Sequence, residues 1–485
     1  MADFLAIPVA DSVSCKPQDC GTFFWEGHQP NSEIHKAQFG KDSGIASNKL
    51  NVSGKQKTMK VLVVGNGGRE HALAWKLLQS QQIERVICVP GNGGTALIER
   101  CQNVSLRVDD FEGIARVARE EGISLVVVGS ELPLSSGIAD YLQRQNIPVL
   151  GPTQAGAQIE ASKSWAKELM EWAGVPTAHS ATFTEVEAAK TYVAQQGVPI
   201  VVKADGLAAG KGVTVAKTVA EAQGAIESLF GDHFSPIVIE TCLRGQEVSV
   251  LALSDGLTVR SLLPAQDYKR IGEGDTGANT GGMGGYAPAP VATPQLMEQI
   301  ERQILQPVVN ALRARGIDYR GVLYAGLMIT PEGKPLVLEF NCRLGDPEAQ
   351  AILPLLETPL EELLLACTQQ RLEALPPIRW KQESAICVVA ASQGYPGSYT
   401  KGYAITGIEE AQNLGATIFH AGTKINPQQQ LVTDGGRVLG VAATGKDFAQ
   451  ATAKVYKAIN CIQFEGSYYR RDIGRTKTDS AKSVP

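Results

Sequence analysis

Strand-like apolar runs alternate with helical patterns from Lys60 onward, and this alternation constrains the fold more than any other feature. Lys60–Asn66 reads as a strand, His71–Gln79 as the start of a helix, Arg85–Val89 and Ser124–Gly129 as further strands, and Phe111–Glu121 as a helix between them. Strands separated by helical crossovers build a parallel, doubly wound sheet. The first strand–helix turn holds Gly65-Asn-Gly67, where backbone amides and the helix dipole favour phosphate. It is not a dinucleotide fingerprint, because Glu70 replaces the third glycine and the second strand ends in Val89-Pro-Gly91 without an acidic ribose ligand. Glu131 follows the third strand, a place where open α/β sheets put ligand groups and where a helix N-cap is equally at home.

Chemistry concentrates in Val337-Leu-Glu-Phe-Asn-Cys-Arg-Leu-Gly-Asp-Pro-Glu348. Side chains alternate along a strand, so Glu339 and Asn341 share one face, with Leu338 and Phe340 on the other as core. Two neighbouring oxygen ligands at a strand end suit a hard cation such as Mg²⁺, which keeps waters and takes other oxygens from phosphates. Arg343, Asp346 and Glu348 follow at once, more charge than a plain strand end followed by a solvated turn needs.

Two glycine-rich segments add ligand chemistry, the first of them for phosphate. Val201–Val215 reads as strand, flexible loop, strand: Lys203 ends an apolar run, Gly206, Gly210 and Gly212 permit close backbone approach, and Lys211 adds charge. The spacing is not that of a P-loop, since three residues separate Gly206 from Gly210 and Gly212 follows the lysine. Ala265–Tyr286 is rich in glycine and charge without apolar periodicity, and reads as a long structureless substrate loop. Elsewhere the pattern predicts helices over Ala161–Ala173, bearing Lys163, and over Thr184–Gln196. A small α/β lid is expected to close near Ser249, followed by strands Val250–Leu253 and Thr258–Leu263, one long helix Thr293–Arg315, and strands Val322–Ile329 and Leu336–Asn341. Strands Ala385–Ala391, Ala416–His420 and Val438–Thr444 and helix Asp447–Asn460 form a C-terminal α/β cap.

Taken in order, these segments resemble the ATP-grasp ligases, and among them the phosphoribosylamine–glycine ligases (glycinamide ribonucleotide synthetases) of purine biosynthesis. The resemblance rests on Lys60–Ala72, Gln266–Met283, Arg320–Met328, Gly394–Gly397, Gly435–Gly440 and Tyr469–Gly474, and spans about Met59 to Gly474. It departs at Ser130, Thr241, Cys242, Gln246, Tyr268, Ala278 and Leu344, none of which removes the metal pair, the lysines or the glycine loop.

The resemblance implies an α/β protein with an N-terminal domain over 59–160, an ATP-grasp domain over 161–384 (lid about 180–250) and a C-terminal domain over 385–474. It implies joining of glycine to 5-phosphoribosylamine through glycyl phosphate, with ATP as co-substrate and Mg²⁺ or Mn²⁺ on Glu339 and Asn341. Lys163, Lys203 and the Gly206, Gly210, Lys211 and Gly212 loop would address phosphates. Glu240, Thr241 and Leu243 would line adenine, and Glu247 would accept from ribose. Arg343 would stabilise the transferring phosphoryl group, and Asp275 and Asp346 would orient the glycine ammonium. Asn66, Gly67, Glu131 and Glu348 would complete the substrate site.

Composition bounds the alternatives. With 485 residues, 44% of them hydrophobic, the chain supports several cored domains. A net charge of −5 argues against nucleic acid as a partner, and no apolar stretch reaches membrane-spanning length. Nine cysteines without paired CxxC spacing suit reduced thiols. The small-molecule enzyme is expected as a cytoplasmic monomer. Residues 1–58 read as a disordered extension and 475–485 as a polar tail; the first of these lacks arginine and carries six acidic residues, unlike an organellar transit peptide, although import stays open. A nicotinamide oxidoreductase, a catalytically silent metabolite-binding protein and an ATP-grasp ligase for another acid are the rival readings.

Overall fold

The first strand of the fold, β1 (Met59–Gly65), buries Val61 to Val64 completely. The structure, a computed structural model, describes residues 58–207, 212–233 and 235–475. The extension expected over 1–58 and the tail over 475–485 lie outside the described residues, apart from Thr58 and Arg475. β1 pairs in parallel with β2 (Ile83–Pro90), and β3 (Cys101–Asn103), β4 (Leu125–Val128) and β5 (Val149–Leu150) complete a sheet of order β3-β2-β1-β4-β5. Strands buried on both faces need continuous apolar runs, which is why the parallel sheet was readable. The order reverses between β1 and β4, so a crevice opens where Gly65–Gly67 and Glu131 leave the sheet. The first helix starts at Gly68, three residues before the expected His71, because the Glu70 carboxylate accepts the N–H of Gly67 at 2.6 Å and closes the helix end.

The helix expected over Ala161–Ala173 runs from Lys163 to Ala173, and a further helix, Gln154–Ala161, precedes it. Ser162 leaves helical geometry (φ −135°, ψ 116°) and its Oγ accepts the N–H of Trp165 at 3.2 Å. The lid is the antiparallel sheet β6 (Ser180–Phe183), β7 (Ile200–Ala204), β8 (Val213–Ala216) and β9 (Ile237–Thr241), in the order β6-β9-β7-β8. Helices Val186–Gln196 and Val219–Gly231 cover it, with a core of its own that includes Val193, Val202, Ile226 and Ile239. Its sheet ends at Thr241 rather than near Ser249, since β10 (Gln246–Asp255) is one unbroken strand of the central sheet.

After β11 (Val259–Ser261), the segment expected to be structureless forms β12 (Gln266–Asp267), a hairpin of β13 (Arg270–Gly272) and β14 (Thr276–Asn279), and β15 (Gly284–Ala287). Its glycines serve close packing: a Cβ on Gly284 (φ 154°) would stand 2.6 Å from the Cys387 carbonyl oxygen. The expected long helix Thr293–Arg315 is Pro294–Ile300 and Gln306–Ala314 joined by a π turn over Glu301–Leu305, where Pro307 offers no N–H to the preceding turn. Strands β16 (Arg320–Ile329) and β17 (Pro335–Asn341) finish the central sheet, β11-β10-β16-β17.

The C-terminal elements are β18 (Ser384–Ser392), β19 (Thr417–His420), the hairpin β20 (Thr423–Ile425) and β21 (Leu431–Thr433), β22 (Arg437–Gly445), helix Phe448–Ile459 and β23 (Ser467–Tyr468). β15 pairs with β18, so the C-terminal sheet runs β12-β15-β18-β22-β19 and takes two strands from the middle of the chain.

Candidate active site

A cleft of about 1440 Å³ lies between the lid, the central sheet and the C-terminal domain, and Glu339 and Asn341 line it. The alternation expected along their strand is broken. Pairing with β16 passes from Gly326–Glu339 to Leu327–Val337, leaving Leu338 as a bulge. Val337 and Phe340 stay in the core, but Leu338 does not join them: it lines the cleft, and its carbonyl accepts Lys203 Nζ at 3.0 Å.

Four cations surround Glu339. Burial pushes its carboxyl up, and Lys269, Lys203, Lys163 and Arg343 more than offset this, holding it below its ordinary value. Lys269 Nζ lies 3.9 Å from Glu339 and 3.0 Å from Glu247. Burial opposes the Lys269 charge, yet Asp267, Glu247 and Glu339 raise its pKa well above the usual lysine value. Burial pushes Asp267 up to about 7; Lys269 works against the rise, and Glu348, Glu247 and Glu339 add to it. Neither Asp267 nor Lys269 was singled out from sequence, although they flank Tyr268 within one of the two glycine-rich segments.

A divalent cation fits this end of the cleft. Glu339 and Asn341 offer two oxygens, while no cluster of three or more His, Cys, Asp and Glu side chains forms among the described residues. A cation held here therefore takes its other oxygens from phosphates and water.

The lysines divide their work. Lys163 Nζ donates to the Gly206 carbonyl at 3.0 Å, tying the helix Lys163–Ala173 to the start of the glycine loop. Gly206 and Gly212 line the cleft; Gly210 and Lys211 fall outside the described residues. Glu240 was expected along adenine. It lines the cleft, and its carboxylate is buried between Lys203 (2.8 Å) and Lys167 (3.2 Å), because both ammonium groups need a counter-charge once covered. Lys167 escaped the sequence reading, although it stands one turn after Lys163 on the same helix face. Thr241 and Leu243 follow at the cleft edge.

Arg343 is fixed on three sides: Nη2 lies 2.7 Å from Glu160 and donates to Asn341 Oδ1 at 3.0 Å, and Nε lies 3.3 Å from Glu131. Glu160 also accepts the Cys342 N–H at 2.8 Å, and nothing in its local sequence marked it. Glu131 is the first residue of its helix, with Ser130 at the N-cap, so the capping alternative does not hold.

The remaining acids are committed to protein partners. Asp346 accepts the Arg69 N–H (3.2 Å) and Gln350 Nε2 (2.7 Å) and pairs with Arg437 (3.3 Å). Glu348 is buried and accepts from Ser249 Oγ (3.0 Å) and Tyr324 OH (2.6 Å). Asp275 sits at the exposed tip of the β13–β14 hairpin, where Arg470 Nη1 engages it at 3.0 Å, and it lines the cleft. Asn66 is exposed at the end of β1, and its carbonyl and that of Gly67 accept from Asn92 Nδ2 (3.0 and 3.4 Å).

Residues 59–160, 161–349 and 385–476 match, in turn, the N, ATP-grasp (A) and C domains described as phosphoribosylglycinamide synthetase. The phosphoribosylamine–glycine ligase of Nostoc sp. is 67% identical over 420 residues, covering 86% of this chain and 99% of that protein. The Synechocystis sp. protein of the same name is 58% identical over 416 residues, with 86% and 99% covered. The crystal structure of phosphoribosylamine–glycine ligase from Thermotoga maritima superposes with a TM-score of 0.73 at 33% identity, covering 85% of this chain and 99% of that one. A biotin carboxylase from Campylobacter jejuni shares the fold at 14% identity and a TM-score of 0.66, over 88% of this chain and 98% of that one. With the cleft, its cations and its oxygen pair in place, these matches make the chain a member of the phosphoribosylglycinamide synthetase family, the phosphoribosylamine–glycine ligases.

Proposed function

We propose that this cleft joins glycine to 5-phosphoribosylamine at the expense of ATP, giving glycinamide ribonucleotide, ADP and phosphate in purine biosynthesis. A carboxylate oxygen of glycine attacks the γ-phosphorus of ATP and ADP leaves. The ribosylamine nitrogen then attacks the acyl carbon of glycyl phosphate, the bond to phosphate breaks, and the nitrogen gives up a proton. Such steps depend on positioning and charge neutralisation rather than on a protein nucleophile.

In this reading Glu339 and Asn341 hold Mg²⁺ or Mn²⁺, which neutralises phosphate charge when bound. Lys163, Lys203 and the loop from Gly206 through Gly210, Lys211 and Gly212 address the phosphates. Thr241 and Leu243 offer backbone to adenine, and Glu247 accepts from ribose. Arg343 faces the transferring phosphoryl group. Asn66, Gly67 and Glu131, at the crevice of the parallel sheet, address the phosphoribosylamine, while Asp346 and Glu348 shape the site through their partners. In the same reading the enzyme is a cytoplasmic monomer, with organellar import left open by residues 1–58. No helix among the described residues is long and apolar enough to cross a membrane.

The observation that carries the reading is the gathering of Lys163, Lys203, Lys269 and Arg343 around Glu339. ADP release with phosphoribosylamine and glycine, formate or bicarbonate tests it. Release with glycine alone is expected; release driven by bicarbonate or formate instead of glycine overturns it.

A further inference from the structure

Tyr469–Gly474 has no part in the reaction as assigned, yet it grips the cleft wall. Arg470 is wholly buried, and a buried guanidinium must spend its donors on protein acceptors. Nε and Nη2 bind Asp472 (2.8 and 2.5 Å), and Nη1 reaches the Arg270 carbonyl (2.9 Å) and Asp275 (3.0 Å). Its face lies 4.8 Å from the Tyr268 ring centroid. Neighbours extend the grip. Asp472 accepts the Gly274 N–H (2.9 Å), Glu273 accepts the Arg471 N–H (3.0 Å), and Tyr468 OH donates to the Ile271 carbonyl (2.9 Å).

The contacts to Arg270, Ile271, Glu273, Gly274 and Asp275 converge on β13–β14, a two-stranded sheet of its own. An isolated hairpin of that size is marginal in water, so its position depends on what holds it. One foot of the hairpin carries Lys269, whose carbonyl accepts both the N–H and the hydroxyl of Thr280 (2.7 and 2.9 Å). The other foot places Asn279 Nδ2 at 3.5 Å from the Val213 carbonyl on the lid strand β8.

We propose that Arg470, oriented by Asp472, is a positioning residue that clamps this hairpin, setting Lys269 against Glu339 and Glu247 and setting Asn279 against the lid. The C-terminal segment thereby fixes one wall of a cleft whose chemistry is carried by other domains. The proposal rests on the reading of the cleft given above.

Arg470→Lys keeps the charge and loses the fork; Asp472→Asn weakens the same grip from a partly exposed position. Amide exchange across residues 270–279 is expected to quicken at least about tenfold, the scale for losing a hydrogen bond to a charged group. At saturating substrates kcat is expected to fall about tenfold, within the range that a displacement of about 1 Å produces, while the melting temperature of the rest stays near wild type. Unchanged exchange in a folded variant overturns the proposal. So does quickened exchange with kcat and KM for ATP both unchanged, because the contacts would then be structural only. If Arg470→Lys fails to fold, Asp472→Asn and Tyr468→Phe carry the same readouts. Lys269→Ala separates the two layers: full activity there counts against the cleft reading, while hairpin exchange still decides the clamp.

Discussion

The Glu240 carboxylate stands 2.8 Å from the Lys203 ammonium, and only 3% of Glu240 reaches solvent. Lys167, on the opposite side at 3.2 Å, makes this one buried anion serving two cations. Removing it strands two nearly buried charges at the cleft wall. Glu240→Ala is therefore expected to destabilise the protein by about 3–5 kcal/mol, the cost of breaking a buried pair. Urea unfolding measures this; a loss below about 1 kcal/mol, the range of surface pairs, would show the site to be solvated.

Glu339 and Asn341 take little part in the core, so their loss acts on chemistry. Glu339→Gln and Asn341→Ala are each expected to lower turnover at least about a hundredfold, the scale for losing one group that stabilises developing charge. Melting curves should stay near wild type. Rates measured against Mg²⁺ concentration check the assignment, and normal turnover of both variants at limiting Mg²⁺ would refute it.

The parallel sheet and most C-terminal strands were legible because their apolar runs are local and uninterrupted. What was missed depends on partners far away in sequence. Leu338 is nearer to hand: it leaves the core face because the preceding strand β16 pairs around it, a register that its own alternation does not reveal. β15 is a strand because β18 lies about a hundred residues on; alone it reads as a glycine loop. The ion pairs of Glu240 were not legible, because nothing in its own strand reveals Lys167 and Lys203 beside it. That Glu339 and Asn341 face one cleft was legible, since two oxygen side chains alternate at a strand end. Glu160 was not, since its partners, Arg343 and the Cys342 N–H, lie about 180 residues on.

His71 and His420 stack at 5.2 Å across the contact between the N-terminal and C-terminal domains, and His71 Nδ1 accepts the His420 N–H at 2.9 Å. Burial lowers both pKa values, that of His71 well below its ordinary 6.5, with His420 adding to the effect, and that of His420 to about 4. The unfolded chain then binds more protons than the folded one between about 4 and 6.5, so stability rises with pH across that window. It is fully present above 6.5 and lost as pH falls toward 4, by up to about 1.4 kcal/mol per pH unit for each histidine. Comparing wild type with His420→Asn at pH 7 and pH 5 isolates this term from the carboxylates, including Asp267. The variant should lose less stability than wild type on acidification; equal losses would show that His420 titrates normally.

Glu160 is the last test, because it separates holding a guanidinium from merely filling space. Its carboxylate lies 2.7 Å from Arg343 and accepts the Cys342 N–H at 2.8 Å, so it fixes both the backbone after Asn341 and the side chain beyond it. Burial raises its pKa, and Arg343 works against that rise. Glu160→Gln keeps the shape and an acceptor for Cys342 but removes the charge that draws Arg343 in. Arg343 retains Glu131 at 3.3 Å, so the guanidinium stays in the cleft in a looser pose. The expected result is a kcat lowered by about tenfold with KM for ATP nearly unchanged, as when an interaction made mainly in the transition state is weakened. Glu160→Ala should add a stability loss that Glu160→Gln does not show. Steady-state kinetics on the folded Glu160→Gln protein decides the point: a raised KM with full kcat would mean that Arg343 binds ground-state ATP and does not act on the transferring phosphoryl group.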